Sequence, residues 1–195
     1  MAHHIIYIPG IGDHLTYGQD SGIQIFRLFG FVPHYLPLGW AIDDGFDVKL
    51  NRLSAEIDRL TGAGHQVSVI GTSAGASAVL AAYTQRPQLT GVIAICGKIH
   101  NPQTVSEHVY ARNPDFKTAM GRVAGNLRLL TEADLVKNIM SIHPLLDLSV
   151  PPADTKIIGA KELTLPGWGH MSGIFVGVIF GAPFVAKFLH SLEQR

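Results

Sequence analysis

Apolar positions along this chain fall into two patterns that alternate. Short, nearly continuous runs, Ile5-Ile6-Tyr7-Ile8, Gln66-Val67-Ser68-Val69-Ile70 and Leu89 to Ile95, have the length and β-branched content of strands covered on both faces. Longer stretches with helical spacing stand between them. Phe46, Leu50, Leu53, Ile57 and Leu60, spaced four, three, four and three apart, predict an amphipathic helix that Gly62 and Gly64 end. Ile23, Phe26 and Phe29 mark another from about Gly18 to Phe29, broken by Gly30, and the small-residue stretch Ala74 to Gln85, closed by Pro87, predicts a third. Phe31 to Leu36 reads as a strand whose Pro33 assigns it an edge or irregular position, because proline has no N–H for a ladder on that side. Asn138 to Ile142 and Glu162 to Leu165 are two further short strands, and Gly173 to Leu192 reads as one terminal helix. Strands alternating with helices imply an α/β fold: a three-layer α/β/α sandwich around a mostly parallel sheet.

Residues 101–138 break the rhythm. They are more polar, contain Pro102 and Pro114, and hold only a weakly amphipathic helical stretch from Asp115 to Leu130, so they read as an insertion beyond the sheet, a small helical cap or lid on a single 195-residue domain. The terminal helix raises a separate question, since Gly173, Gly177 and Gly181 stand four apart in an almost wholly apolar run. That spacing occurs where membrane helices associate. Here Pro183, Lys187 and His190 interrupt the run before the roughly 20 residues a bilayer needs. The expectation is therefore a helix packed closely on the sheet through its glycines, with no integral span and with peripheral lipid contact left open.

Composition narrows the function classes. Apolar residues make up 47% of the chain and charged residues 15%, which suits a compact core and excludes disorder. Fifteen basic and fifteen acidic residues cancel, so nothing points to nucleic acid. The single cysteine, Cys96, lies in the apolar run Gly91 to Gly97 and reads as a buried strand residue. Met1-Ala2-His3-His4 leads into Ile5 to Ile8 without a basic segment or cleavage site, so a cytoplasmic location is expected. No histidine and carboxylate set has metal-ligand spacing and no Walker-type loop is present, so neither metal nor organic cofactor is expected.

The chemistry concentrates at Gly71-Thr72-Ser73-Ala74-Gly75. A G-x-S-x-G match arises by chance in about 6% of chains this long. Its setting, directly after a strand-like run and directly before a helix, is what a serine presented on a sharp turn requires. Such a turn brings its flanks together, so the residues two before and two after must be small. A serine hydroxyl needs a base. Of ten histidines, His170 in Gly167-Trp168-Gly169-His170 follows a strand end and falls at the sheet edge where Ser73 emerges, whereas His3, His4 and His65 belong to the opposite edge. Asp147, after one strand and before the last, is the acid that would orient His170. Glu162 opens the last strand and Asp154 lies deeper in the loop, which ranks them behind it. An oxyanion needs fixed N–H donors. Ala74, at a helix start, is one, and Ile11 in Pro9-Gly10-Ile11-Gly12-Asp13 is the other. Loop 38–45 and residues 101–138 are expected to line the substrate pocket, with Trp40, Tyr110 and Phe116 as their aromatic candidates.

With Ser73, Asp147 and His170 in that order, the chain resembles the α/β-hydrolase superfamily over nearly its whole length, and most of all its small bacterial lipases and esterases. Pro9-Gly10-Ile11-Gly12 matches the oxyanion loop, Gly71 to Gly75 the nucleophile elbow, Asp147-Leu148-Ser149-Val150 the acid loop and Gly167 to His170 the histidine loop. The resemblance implies a nucleophile at Ser73, an acid at Asp147, a base at His170, oxyanion donors at Ile11 and Ala74, and a small-molecule ester as substrate. Serine as nucleophile argues against the dienelactone-hydrolase and dehalogenase members, which use cysteine or aspartate. One departure is Pro9, where the family commonly has histidine. The same triad also serves thioesterases, amidases and acyltransferases, and the fold can persist in a binding protein without turnover.

Overall fold

The computed structural model describes residues 1–16 and 18–194. Six strands, β1 (His3–Ile8), β2 (Phe31–Tyr35), β3 (Gln66–Thr72), β4 (Val92–Ile95), β5 (Ile139–Leu146) and β6 (Lys161–Trp168), form one sheet in the order β2-β1-β3-β4-β5-β6. Every neighbouring pair is parallel. The continuous apolar runs are explained by burial on both sides. On β1, Ile6 and Ile8 join one core and Ile5 and Tyr7 the other, and none of the four has solvent exposure. Pro33 lies on β2, an edge strand, opposite Ile5, where its missing N–H costs no ladder bond on the outer side.

The first core lies under α2 (Phe46–Gly62), α3 (Gly75–Gln85) and α5 (Pro114–Glu132). The second lies under the short helix α1 (Gln19–Gly22), its 3-10 continuation Ile23–Phe29, and the C-terminal helices α6 (His170–Ile179) and α7 (Ala182–Glu193). This is the three-layer α/β/α sandwich. The chain moves outward from β1 to β2, then returns to β3 and proceeds the other way, so the strand order reverses between β1 and β3. In open parallel sheets a crevice forms at the carboxyl ends of strands at such a reversal.

Two expectations need correcting. The terminal helix is not continuous: α6 and α7 meet at a bend of 55° around Gly181. A Cβ on Gly181 would lie 2.1 Å from the Gly177 carbonyl oxygen, and Pro183 sits in the first turn of the second helix, which begins at Ala182. The glycine row does pack on the sheet as expected, with a Cβ on Gly177 falling 2.4 Å from Ile95 Cγ2 and one on Gly173 falling 2.7 Å from Pro144 Cγ. Among the described residues no single helix is long and apolar enough to cross a membrane.

Residues 101–138 are likewise not one cap. Phe116, Ala119, Met120, Val123 and Leu130 of α5 are buried in the first core, and the helix packs along α3 within the layer. The preceding piece, the 3-10 turn Pro102–Thr104 and α4 (Glu107–Arg112), borders the crevice through Thr104, Val105, Ser106 and Val109, and α5 reaches it through Phe116. The weak amphipathicity of the sequence hid this because α5 buries only a narrow stripe while its remaining face stays wet.

Candidate active site

Ser73 follows β3 directly and holds a left-handed backbone, φ 51°. Such a conformation costs a serine about 1–3 kcal/mol and persists only where the surroundings enforce it. They do so here: Ser73 N donates to the Ile95 carbonyl at 3.0 Å, and the Ser73 carbonyl accepts from Ala76 N and Lys98 N, each at 3.2 Å. The glycines have a steric reason. A Cβ on Gly71 would meet the Gly75 carbonyl oxygen at 2.5 Å, and one on Gly75 would meet the Ile8 carbonyl oxygen at 2.3 Å.

Two further side chains converge on the serine from strands on the same side of the sheet. His170, at the first position of α6, has Nε2 2.9 Å from Ser73 Oγ. Its Nδ1 lies 2.7 Å from Asp147 Oδ2. Asp147 follows β5, whose end at Leu146 sits beside Trp168 of β6. The aspartate side chain is fully buried, and its second oxygen accepts from Ser149 N and Val150 N, both at 2.9 Å. An isolated carboxylate could not be buried in this way without those donors. The other acids considered are engaged elsewhere: Glu162 accepts from His143 Nε2 at 2.8 Å, and Asp154 is paired with Lys98.

Ile11 and Ala74 flank the serine on the loops after β1 and β3. Among the described residues, neither backbone N–H has a protein acceptor. The loop carrying Ile11 is held in a way the sequence did not suggest. Trp40 Nε1 donates to the Pro9 carbonyl at 3.1 Å, and Asp13, itself buried, accepts from Gly39 N at 2.6 Å and from Trp40 N at 3.3 Å. These bonds fasten the loop after β1 to the loop after β2 without a histidine at position 9.

The crevice above Ser73 is a cavity of about 430 Å³, walled by Leu15, Val105, Val109, Phe116, Met171 and Ile174 with Lys98 and Thr104 set among them. Of the three aromatic candidates, only Phe116 reaches it. Trp40 is wholly buried between Phe46 and Phe116, and Tyr110 turns its hydroxyl to the Pro102 carbonyl at 2.8 Å. Nothing local in the sequence marks Met171, Ile174 and Lys98 as inward-facing, although Met171 and Ile174 follow His170 closely and Lys98 lies two positions after Cys96.

Cys96 lies just past the end of β4, not within it, and has φ 48°. Its sulfur, an Asp147 oxygen and a His170 nitrogen lie within 4.8 Å of one another. The set fits a metal poorly. Burial, and then the Asp147 charge, push the thiol far above its usual range, whereas a metal needs the thiolate, and the histidine and aspartate are already spent on each other. Cys96 acts as apolar packing behind the acid.

This is the α/β-hydrolase fold. No protein-family model and no curated protein matches the sequence. Solved structures do match in three dimensions. A monoacylglycerol lipase of Paleococcus ferrophilus superposes with a TM-score of 0.68 at 16% identity, over 97% of this chain and 94% of its own. Est1E of Butyrivibrio proteoclasticus superposes with a TM-score of 0.67 at 15% identity, over 100% of this chain and 89% of its own. A puromycin-hydrolysing peptidase of Mycobacterium tuberculosis superposes with a TM-score of 0.66 at 15% identity, over 98% of this chain but only 34% of the peptidase. At these identities the likeness establishes the fold.

Proposed function

We propose that this protein is a serine hydrolase that cleaves small carboxylic esters through an acyl-enzyme. The observation that carries the reading is the unbroken chain from Ser73 Oγ through His170 to the buried Asp147, at the floor of an apolar cavity. His170 Nε2 takes the Ser73 proton as Oγ attacks the ester carbonyl. Ile11 and Ala74 N–H groups hold the resulting oxyanion, and the tetrahedral species collapses as His170 hands the proton to the departing alkoxide. Water, deprotonated by His170, then attacks the acyl carbon, and Ser73 Oγ leaves with that proton as the acid is released. Asp147 holds the imidazole in the required tautomer and stabilises its charged form.

Cavity size limits the substrate. About 430 Å³ lies near the lower end of the roughly 300–1,000 Å³ of small-molecule sites, which favours short and medium acyl chains. The same three groups would serve a thioester or an amide, and the peptidase among the structural neighbours is an example of a fold relative acting on a substrate other than an ester. Apolar side chains exposed beside the histidine, Trp168, Met171 and Phe175, support a substrate presented at a lipid surface.

Fluorophosphonate labelling followed by intact-mass measurement tests the central claim. One equivalent is expected on the native protein and none on Ser73→Ala. With p-nitrophenyl esters, Ser73→Ala and His170→Ala should each lower kcat by about 10⁴-fold or more, and native kcat/KM should be higher for butyrate or hexanoate than for palmitate. A folded native protein that takes no label would remove the serine-hydrolase reading.

A further inference from the structure

Lys98 is the one cationic side chain among the described residues lining the cavity, and it is buried. Its backbone N–H donates to the carbonyl of Ser73 itself, which ties its position to that of the nucleophile. An ammonium has three donors. One goes to Asp154, also buried, and one to Thr104 Oγ1 at 2.7 Å. Thr104 can accept because its own hydroxyl proton goes to the Asn101 carbonyl at 2.9 Å. The third ammonium proton has no acceptor among the described residues. A buried charged donor left unmatched is costly, and a ligand oxygen is the group that would match it.

The ion pair also decides the charge of that ligand. Lys98 and Asp154 cancel and the buried Asp13 lines the same cavity, so a carboxylate brought against them would add an unpaired negative charge, whereas a carbonyl or hydroxyl oxygen would not. Building on the esterase reading, we propose that Lys98 is a specificity residue, selecting esters that carry a second, uncharged oxygen acceptor within reach of the scissile carbonyl. Most of the remaining wall is apolar, with Asp13, Gln19, Ser106 and Ser149 as its other polar groups, so an aliphatic chain interrupted by one keto or hydroxyl group fits it better than a plain hydrocarbon or a dianionic acid.

The oxygen can belong to the acyl or to the alcohol side, and two substrate pairs separate these. p-Nitrophenyl pentanoate against p-nitrophenyl 4-oxopentanoate places it on the acyl side, and ethyl butyrate against glyceryl monobutyrate places it on the alcohol side. One pair should show a preference for the oxygenated member of about tenfold or more in kcat/KM. Lys98→Met alone would strand the Asp154 carboxylate, so the variant to compare is Lys98→Met combined with Asp154→Asn, with far-ultraviolet circular dichroism and the fluorophosphonate labelling rate showing that fold and nucleophile survive. In that variant the preference should fall to near one. A native ratio at or below one in both pairs overturns the inference. So does a variant that slows both members equally, the signature of a Lys98 that merely braces the cavity wall. A double variant that does not fold shifts the comparison to Thr104→Val, which frees a second ammonium proton and should raise the native preference; an unchanged ratio there also overturns it. A native protein that takes the label but turns over no ester defeats the esterase reading separately, and this inference with it.

Discussion

Trp40 shows how a residue reasonably assigned to substrate contact can act one step back. Its ring is core, between Phe46 and Phe116, but its indole N–H holds the carbonyl of Pro9, two residues before the proposed oxyanion donor. Trp40→Phe keeps most of the packing and leaves that carbonyl unmatched. We expect a loss of about 1–3 kcal/mol of stability in a denaturant titration, and a kcat reduced by up to about tenfold with KM little changed, since a displaced donor weakens transition-state binding more than ground-state binding. An unchanged kcat would show that Asp13 alone fixes the loop. Ser73 itself was legible because strain leaves a sequence trace: glycine is obligatory at both positions where the elbow closes on itself. Lys98 left none, because the acceptors that define its role come from residues 104 and 154.

At the scale of elements, each strand of the parallel sheet has two ends with different chemistry. The proposed triad stands at the carboxyl ends; histidines gather instead at the amino ends of β1 and β3, joined by His34 of β2. His4 Nδ1 lies 2.7 Å from His34 Nε2, and the His65 ring centroid lies 4.6 Å from that of His4. Burial, followed by the nearby His34, His65 and Arg59, lowers the His4 pKa below its usual 6.5. In the unfolded chain His4 therefore takes up a proton at a higher pH than it does in the folded protein. Stability from this group is complete above about pH 6.5 and is lost as pH falls below it, until the folded protein protonates in turn. The melting temperature should accordingly drop between pH 7 and pH 5, and the drop should be smaller in His4→Gln. An equal slope in both proteins would place the acid sensitivity elsewhere. Boundaries were the least legible feature at this scale. The bend between α6 and α7 depends on Gly181 meeting the Gly177 carbonyl, and the place of α5 depends on a face of α3 that is read only in three dimensions.

Across the whole molecule, exposed apolar side chains are unevenly spread. Trp168 at the end of β6 is 79% exposed, and Leu146, its neighbour on β5, is 52% exposed. Met171 and Phe175, one turn apart on α6, continue the surface from the cavity wall outward at 50% and 59%. Single exposed apolar groups are ordinary, but a set adjoining a candidate active site is a reasonable place for a lipid or apolar substrate to land. Trp168→Ser combined with Phe175→Ser should lower co-sedimentation with neutral phospholipid vesicles several-fold while leaving fluorophosphonate labelling intact. If the native protein stays in the supernatant, the surface has no lipid role.

What the sequence determined by itself is the content that repeats locally. Runs buried on both faces give parallel strands, periods near 3.6 give the layer helices, and a strained turn between glycines gives the elbow, because each depends on neighbours a few positions away. The order of strand ends then suffices to put a serine, an acid and a histidine at one edge. Only the tertiary structure decided which wall faces the cavity, that Asp13 and Trp40 hold the loop beside Ser73, and that Lys98 meets Asp154 and Thr104 there. Apart from Lys98 to Thr104, six positions on, those contacts join segments 26 to 56 positions apart. A side chain's partner at such separations is set by how layers pack against one another, and packing has no period along the chain.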